Sequence, residues 1–385
     1  MRAEEGKLGL GWKRIAVCVL LLLLAGISGL FLRHITNMLP SQQAAERWGG
    51  ANAGRFAQVT VFLPEYGGLT PHLVNGFMSS VFGELTLQGL APHTPAGAPV
   101  HAYSAEGMLQ VASRSRGPID VYVTGVGGNF FLFHPVQLIS GASLPTESMN
   151  RDLVVIDETL AWRLFGATNV AGMDVMINGA PYVISGVYRT LDNFASRAAY
   201  GDMPHMFLFY DALADIRGSV PITTLEVVLP NPLTGMAETI VREALDAVNV
   251  DEDGFRLVNN TGRYRFLPLL GVARDFGERS MYRTGLRLPH WENAARMVED
   301  FAAMALVLLL ILLLYPTIVI VQFGYRRWRV RKWRIALARK KLEEIKERRR
   351  AATWEDTRAL QGEEENQYHV DEIIREIKES EDDEK

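Results

Sequence analysis

The sequence predicts an α+β extracytoplasmic domain with an inserted lobe, flanked by two transmembrane helices. Three observations predict it. Two charge-free apolar runs, Ile15 to Leu32 and Phe301 to Phe323, bracket a long stretch of mixed globular sequence, and each is near the ~20 residues that carry a helix across a ~30 Å hydrocarbon core. Every lysine lies outside that bracket. Strand–helix pairings recur near both ends of the enclosed segment, around a middle region of different pattern. A sheet with helices packed on one face is the arrangement that buries such units.

The flanks set the orientation. Lys7, Lys13 and Arg14 precede the first run, and Arg326, Arg327, Arg329, Arg331, Lys332 and Arg334 follow the second. Positive charge near the membrane marks the cytoplasmic side. The chain therefore reads as a two-pass protein of the cell membrane with both termini cytoplasmic. Its divisions are a cytoplasmic N-terminus (1–14), a first transmembrane helix (15–33), an extracytoplasmic domain (34–299), a second transmembrane helix (300–323) and a charged cytoplasmic tail (324–385). A cleaved signal peptide is the alternative for the first run, but the run exceeds the usual apolar length, and Arg33-His34 stands where small residues are expected. An uncleaved anchor is favoured.

The single cysteine, Cys18, lies at the start of the first run, so the outer domain stands on packing without disulfides. The net charge of -4 hides a segregated tail, with Arg326 to Arg350 strongly basic and Glu355 to Lys385 mainly acidic. Tethering to the bilayer accounts for the basic cluster, and no nucleic-acid partner is expected.

The elements follow in order. Ser41 to Gly54 reads as a tether. Ala57 to Leu63 alternates as a half-buried strand does, and Pro64 stops it. Thr70-Pro71 opens a helix that places Leu73, Phe77, Val81, Phe82 and Leu85 on one face and ends near Leu87. Strands are predicted at Met108 to Ala112 and Ile119 to Val126. In the middle lobe, Leu153 to Ile156 is a short apolar strand, Asp157 caps a helix from Glu158 to Leu164, and Gly166 ends it. Asn178-Gly179 lies between two alternating runs and predicts a hairpin with a type I′ turn. Thr223 to Leu229, Met236 to Val248 and Phe255 to Val258 then predict strand, helix and strand. Beyond Pro289 a helix is predicted to start near His290 and run unbroken into the second span, with a further helical stretch from Trp333 to Ala352. Val370, Ile373, Ile374 and Ile377 fit a short tail helix, with a solvated tail as the alternative.

Certain of these residues resemble a known family. Phe130-Phe131-Leu132-Phe133 through Gly141, then Val154-Val155-Ile156-Asp157-Glu158 through Leu164-Phe165-Gly166, then Gly172, Asn178-Gly179, Tyr182 and Gly186-Val187, resemble the periplasmic core domain of MacB-like ABC transporter permeases. The match is ordered over some sixty residues. The resemblance implies a two-lobed outer domain, a structural role for these motif residues, and a subunit moved by a separate cytoplasmic ABC ATPase through mechanical transmission. The layout departs from the family in placing one apolar helix, rather than three, between the domain and the charged tail. It is therefore read as a permease-like subunit that works with an ATPase subunit, a permease partner, or both. The alternative is a non-transporting membrane receptor or scaffold that binds an extracellular partner.

An enzyme is not expected, nor a cofactor or metal. The eight histidines stand singly in the sequence, without the spacing that brings two imidazoles to one ion, and each reads as a surface or locally bonded residue. No phosphate-binding G-x-x-x-x-G-K-[ST] loop and no G-x-S-x-G elbow occurs. In the first span Ala25 and Gly29 form a small-xxx-small pair that would let another helix approach, although small residues are common in membrane helices.

Overall fold

Side chains alternate across a strand, and here residues of opposite parity enter two different cores on the two faces of one sheet. The computed structural model describes residues 11–50, 55–66, 68–91, 97–146, 148–250, 254–279, 286–351 and 363–382. Lys7, the end of the expected tether at 51–54, and most of the acidic stretch before residue 363 lie outside the described residues. Residues 28–307 form one compact unit, and the rest of the two apolar helices with the tail forms a second.

In the first part of the chain come α1 (Trp12–Thr36), a 3-10 turn (Pro40–Gln42), α2 (Ala44–Gly49), β1 (Phe56–Phe62), α3 (Pro71–Leu87), β2 (Val100–Ala112), β3 (Ile119–Gly128), α4 (Phe130–Phe133) and β4 (Gln137–Gly141). The middle carries β5 (Leu153–Asp157), α5 (Glu158–Phe165), β6 (Asp174–Ile177), β7 (Ala180–Arg189), α6 (Phe194–Tyr200), β8 (His205–Phe209) and α7 (Tyr210–Arg217). Then follow β9 (Thr224–Pro230), α8 (Met236–Ala247), β10 (Arg256–Asn259), a 3-10 turn (Asn260–Gly262), α9 (Phe266–Arg274), α10 (Phe276–Arg279), α11 (His290–Ala351) and α12 (Glu363–Asp382).

The strands run in the order β10-β1-β9-β2-β3-β8-β5-β7-β4, with β6 bridging β2 and β7. β1 pairs antiparallel with β9, Ala57 opposite Leu229 and Val61 opposite Leu225, so the two outer strand–helix units share one sheet as predicted. The middle lobe is inserted between them and continues that sheet instead of making its own. It joins through the parallel pairing of β3 with β8 and the pairing of β2 with β6, where Val111 faces Ile177. The reason is the length of β2, whose predicted portion began only at Met108. Its first residues pair with β9 and its last with β6.

One face carries the main core. Val59, Val61, Leu225 and Val227 pack against Phe77, Val81 and Leu85 of α3 and Ile240, Val241 and Leu245 of α8. Val154, Ile156 and Val187 meet Leu160 and Leu164 of α5 on the same side. The opposite face is covered too, which corrects the expectation of helices on one side. Val155, Phe207 and Val228 point there and meet Ala44 and Ala45 of α2, Phe130 and Phe133 of α4, and Trp291 of α11. The expected tether is likewise a packed element, for Ala44 is fully buried and the Trp48 indole donates to Ala98 O at 3.0 Å.

Local signals explain the element ends. Thr70 and Asp157 accept from the backbone N–H three residues on, at Leu73 and Leu160, as N-caps do. Gly166 closes α5 in the left-handed conformation. Asn178 and Gly179 have φ of 50° and 82°, the two positive values a type I′ turn needs. α11 begins at His290 as predicted and continues through Pro316 to Ala351.

Two motif glycines are held for different reasons. A Cβ on Gly166 would meet nothing within 4 Å, whereas one on Gly186 would lie 2.4 Å from the backbone oxygen of Ala142. Gly166→Ala should therefore cost only the ~1–2 kcal/mol of a left-handed non-glycine residue, and Gly186→Ala should cost more, because backbone must move. Thermal unfolding of the two purified variants would show the order, and equal losses would contradict it.

Candidate functional site

β1 and β9 present a polar set on the face away from the main core. Gln58, Thr60 and Glu226 are buried there, with Thr60 directly opposite Glu226. Burial of such groups is tolerable only when each is hydrogen-bonded. The Glu226 carboxylate is reached by Gln58 Nε2 at 3.4 Å and by Thr60 Oγ1 at 3.3 Å, and its other oxygen pairs with His134 Nε2. Gln58 donates to Ser41 O at 2.7 Å and accepts from Ala44 N at 2.9 Å. Asn260 Nδ2 donates to Thr60 Oγ1 at 2.7 Å. Arg47 of α2 donates to Leu132 O and Phe133 O at the end of α4, satisfying carbonyls that a helix C-terminus leaves open. The sheet thus grips the segment that follows α1.

A second grip holds α11. Arg263, just beyond β10, is buried together with Glu292 and Glu299. Its guanidinium donates to both oxygens of Glu292 at 2.7 Å, to Glu299 Oε1 at 2.6 Å, and to Gln42 Oε1 at 3.1 Å. Glu292 and Glu299 are seven residues apart, two turns along one helix face. Burial alone would weaken the guanidinium as a base, but Glu292 beside it outweighs that and raises its pKa. Gln42 brings the chain after α1 into the same clamp. Farther along, Ser28 Oγ donates to Ala305 O at 3.0 Å. Ser28 lies four residues inside the outer end of the first apolar run and Ala305 four inside the second, so the two runs begin at matching depth.

Between the grips lies a column of rings. His134 stacks on Phe130 and meets Trp291 at a tilt, each at 4.5 Å; His290 contacts Trp291 at 4.8 Å and Tyr200 at 3.9 Å; Tyr200 meets His205 at 4.3 Å. Tyr122 faces His205 and donates to Glu106. Three histidines read as isolated in the sequence therefore converge, which corrects that reading. Burial keeps His290 well below the ordinary histidine range, helped by His205 and His134, and lowers His205 to about 4. Burial likewise raises Glu106 to about 7 against the Tyr122 hydrogen bond, and Asp157 to about 7 against its bonds from Leu160 and His205 N–H groups. The cavity beside these rings measures about 60 Å³, room for a few waters and no larger ligand.

The sequence-predicted motif residues lie elsewhere, in the strand–helix–hairpin of the middle lobe. Val154, Val155 and Ile156 are buried in β5, Asp157 caps α5, Glu158 pairs with Arg189 at 3.1 Å, and Leu164 is buried with Phe165 packed at its edge. Gly172 donates its N–H to Ile184 O, Asn178 and Gly179 form the turn, Tyr182 packs at the margin of the core, and Gly186 and Val187 lie in β7. Ala25 is buried and Gly29 half-buried, and a Cβ on Gly29 would meet nothing within 4 Å. Gln42, Gln58, Glu226, Arg263, Glu292 and Glu299 escaped the sequence reading. The usable signals were an acid inside the apolar run Thr223 to Leu229 and two glutamates at a seven-residue spacing before the span.

A family model, MacB-like periplasmic core domain, matches residues 16–250. The chain belongs to this family. Similar solved structures include the extracellular domain of the noncanonical ABC-type transporter YknZ from Gram-positive bacteria (14% identity, TM-score 0.39, 52% of this chain and 100% of that one). The periplasmic region of MacB from Actinobacillus actinomycetemcomitans is another (15%, 0.39, 61% and 96%), as is a domain of a permease protein from Porphyromonas gingivalis (14%, 0.33, 54% and 89%). Among curated proteins there is no match. In this MacB-like chain α1 and α11 are both long and apolar enough to cross a membrane. Family and helices together make it a membrane protein with an extracytoplasmic domain.

Two consequences of the geometry can be measured on the purified full chain. Arg263→Met leaves Glu292 buried without its partner and should cost about 3–5 kcal/mol; Arg263→Lys should rescue only part, because an ammonium cannot serve the fork. A loss below about 1 kcal/mol in denaturant unfolding would show the clamp to be solvated. Asp157 binds its proton more tightly folded than unfolded, so its contribution to stability falls as pH rises from about 4 to about 7. His205, depressed when folded, acts oppositely, adding stability as pH rises from about 4 to 6.5. Asp157→Asn keeps the cap and removes only the first effect. Its melting temperature relative to the parent should climb across pH 4–7 and level off above; a constant difference would exclude a buried, proton-binding Asp157.

Proposed function

We propose that this chain is a non-enzymatic, permease-like subunit of an ABC-type transport or mechanotransmission system, coupling its extracytoplasmic domain to a separate cytoplasmic ATPase. The observation that carries the reading is the buried clamp of Arg263 on Gln42, Glu292 and Glu299. Through it the sheet holds both the segment leaving α1 and the first three turns of α11, a helix unbroken to Ala351. A displacement of α11 along its axis would then reach the sheet through short charged hydrogen bonds, and one of α1 through the segment that ends at Gln42.

The proposed topology has residues 1–14 and 324–385 in the cytoplasm, spans at 15–33 and 300–323, and the domain at 34–299 outside. The arginines and lysines of α11 beyond Phe323 would lie at the inner surface, in reach of the ATPase or a permease partner. Ala25, buried within the chain, and Gly29 would keep a helix-packing role, and the motif residues of the middle lobe would keep a structural role.

Gentle detergent extraction should recover a nucleotide-binding subunit with the chain, and reconstituting the two should give ATP hydrolysis that depends on the chain. A Gly-Ser insertion after Glu299 should uncouple hydrolysis from transport or domain movement while membrane insertion and the domain's unfolding temperature persist. Unchanged coupling with that insertion would refute transmission through this junction. Recovery of extracellular partners without any ATPase would make the chain a receptor.

A further inference from the structure

The apolar side chains of α9 look largely outward. Leu269 is its only buried residue, while Phe266 is 52% and Leu267 75% exposed, and Phe276 of the adjoining α10 is 44% exposed. At 100° per residue, Phe266, Leu270 and Leu267 fall within about 100° of arc, and Leu269 lies off that stripe. Arg265 and Arg274 flank it, both exposed. The helix contains no acidic residue, and Asp275 beyond it is paired with Arg274 at 2.8 Å.

The position of α9 identifies what covers this stripe. Arg263, three residues before Phe266, bonds Glu299, and Tyr264 OH donates to Ala295 O at 3.4 Å. Glu299 is only two residues, about 3 Å of helix rise, from Phe301, where the apolar run of α11 begins. Domain side chains also descend to that level on another side, for the rings of Phe194 and Phe301 meet at 5.1 Å. The matched depth of Ser28 and Ala305 puts the outer end of α1 in the same plane. The start of α9 is thus tied to the height at which hydrocarbon gives way to headgroups.

We propose that α9 and α10 form an interfacial foot, with Phe266, Leu267 and Phe276 seated at the headgroup–acyl boundary of the outer leaflet and Arg265 drawn to lipid phosphates. Amphipathic helices of this kind lie in the interface plane with the apolar stripe down, and basic flanks add attraction to anionic lipid. The foot would fix the tilt of the domain relative to the bilayer independently of the clamp. It does not require the transport reading.

The test uses the full chain with its lone cysteine removed (Cys18→Ala). Leu267→Cys, and separately Leu87→Cys at the exposed end of α3 on the opposite face of the sheet, would carry an environment-sensitive fluorophore. Both positions are exposed, so neither change threatens folding. In vesicles of phosphatidylethanolamine and phosphatidylglycerol, the label at 267 should emit to the blue of the label at 87. It should also be several-fold less quenched by aqueous iodide, and quenched by a lipid carrying a spin label near its headgroup. Equal iodide quenching at the two positions would overturn the proposal. So would protection at 267 that disappears when the protein is diluted in excess lipid, since a second copy would then be the cover.

Discussion

The domain's attachment depends on one buried cation. Removing a guanidinium from water is costly, and a buried ion pair stabilises only when its hydrogen bonds are complete. Arg263 makes four such bonds, to two carboxylates and one amide arriving from two separate segments of chain. Each partner is placed by something else: Gln42 by the turn that Gln58 grips through Ser41, and Glu292 and Glu299 by helical periodicity. The clamp therefore exists only when sheet, post-α1 segment and α11 are all in place. That makes it a check on assembly of the unit as well as a source of stability, and it explains why polar residues occupy a sheet face that apolar ones would fill at less desolvation cost.

The two faces of the sheet divide labour. The main core, with α3, α5, α7 and α8, is apolar and continuous from the outer units into the middle lobe. Among the described residues it contains none from α1 or α11. The second face mixes the ring column with the polar grips and includes Trp291 of α11. The strand, cap and hairpin of the middle lobe are built by Val154 to Ile156, Asp157 and Asn178-Gly179, none of which takes part in the grips on the two helices.

Much of the fold was legible because its signals are local. Thr70, Asp157, Gly166 and Asn178-Gly179 each state a cap or turn within a few residues, and α3, α5 and α8 follow from period. The start of α11 followed from Pro289 and the pattern after it. What was not legible depends on distant pairing. The early half of β2 has small and polar residues that find partners only when β9 and β3 flank them. Ser41 to Gly54 resembled a tether because the burial of its described part comes from partners such as Gln58, fourteen residues after Ala44. The histidines converge from the residue after α4, from β8 and from α11, and no spacing along the chain records that.

The absence of lysine between the two apolar runs fits the way this domain uses positive charge. At the clamp three side chains accept from one guanidinium, and Arg47 serves three carbonyls at once; a forked guanidinium meets such geometry, whereas an ammonium is a point charge that keeps its water. Because Glu292 and Glu299 lie two turns apart on α11 while Arg263 binds both, rotation of that helix about its axis would swing both carboxylates away together. Axial rotation would thus open the clamp, whereas a shared tilt of helix and sheet would leave it closed. A joint built this way resists twisting and follows tilting.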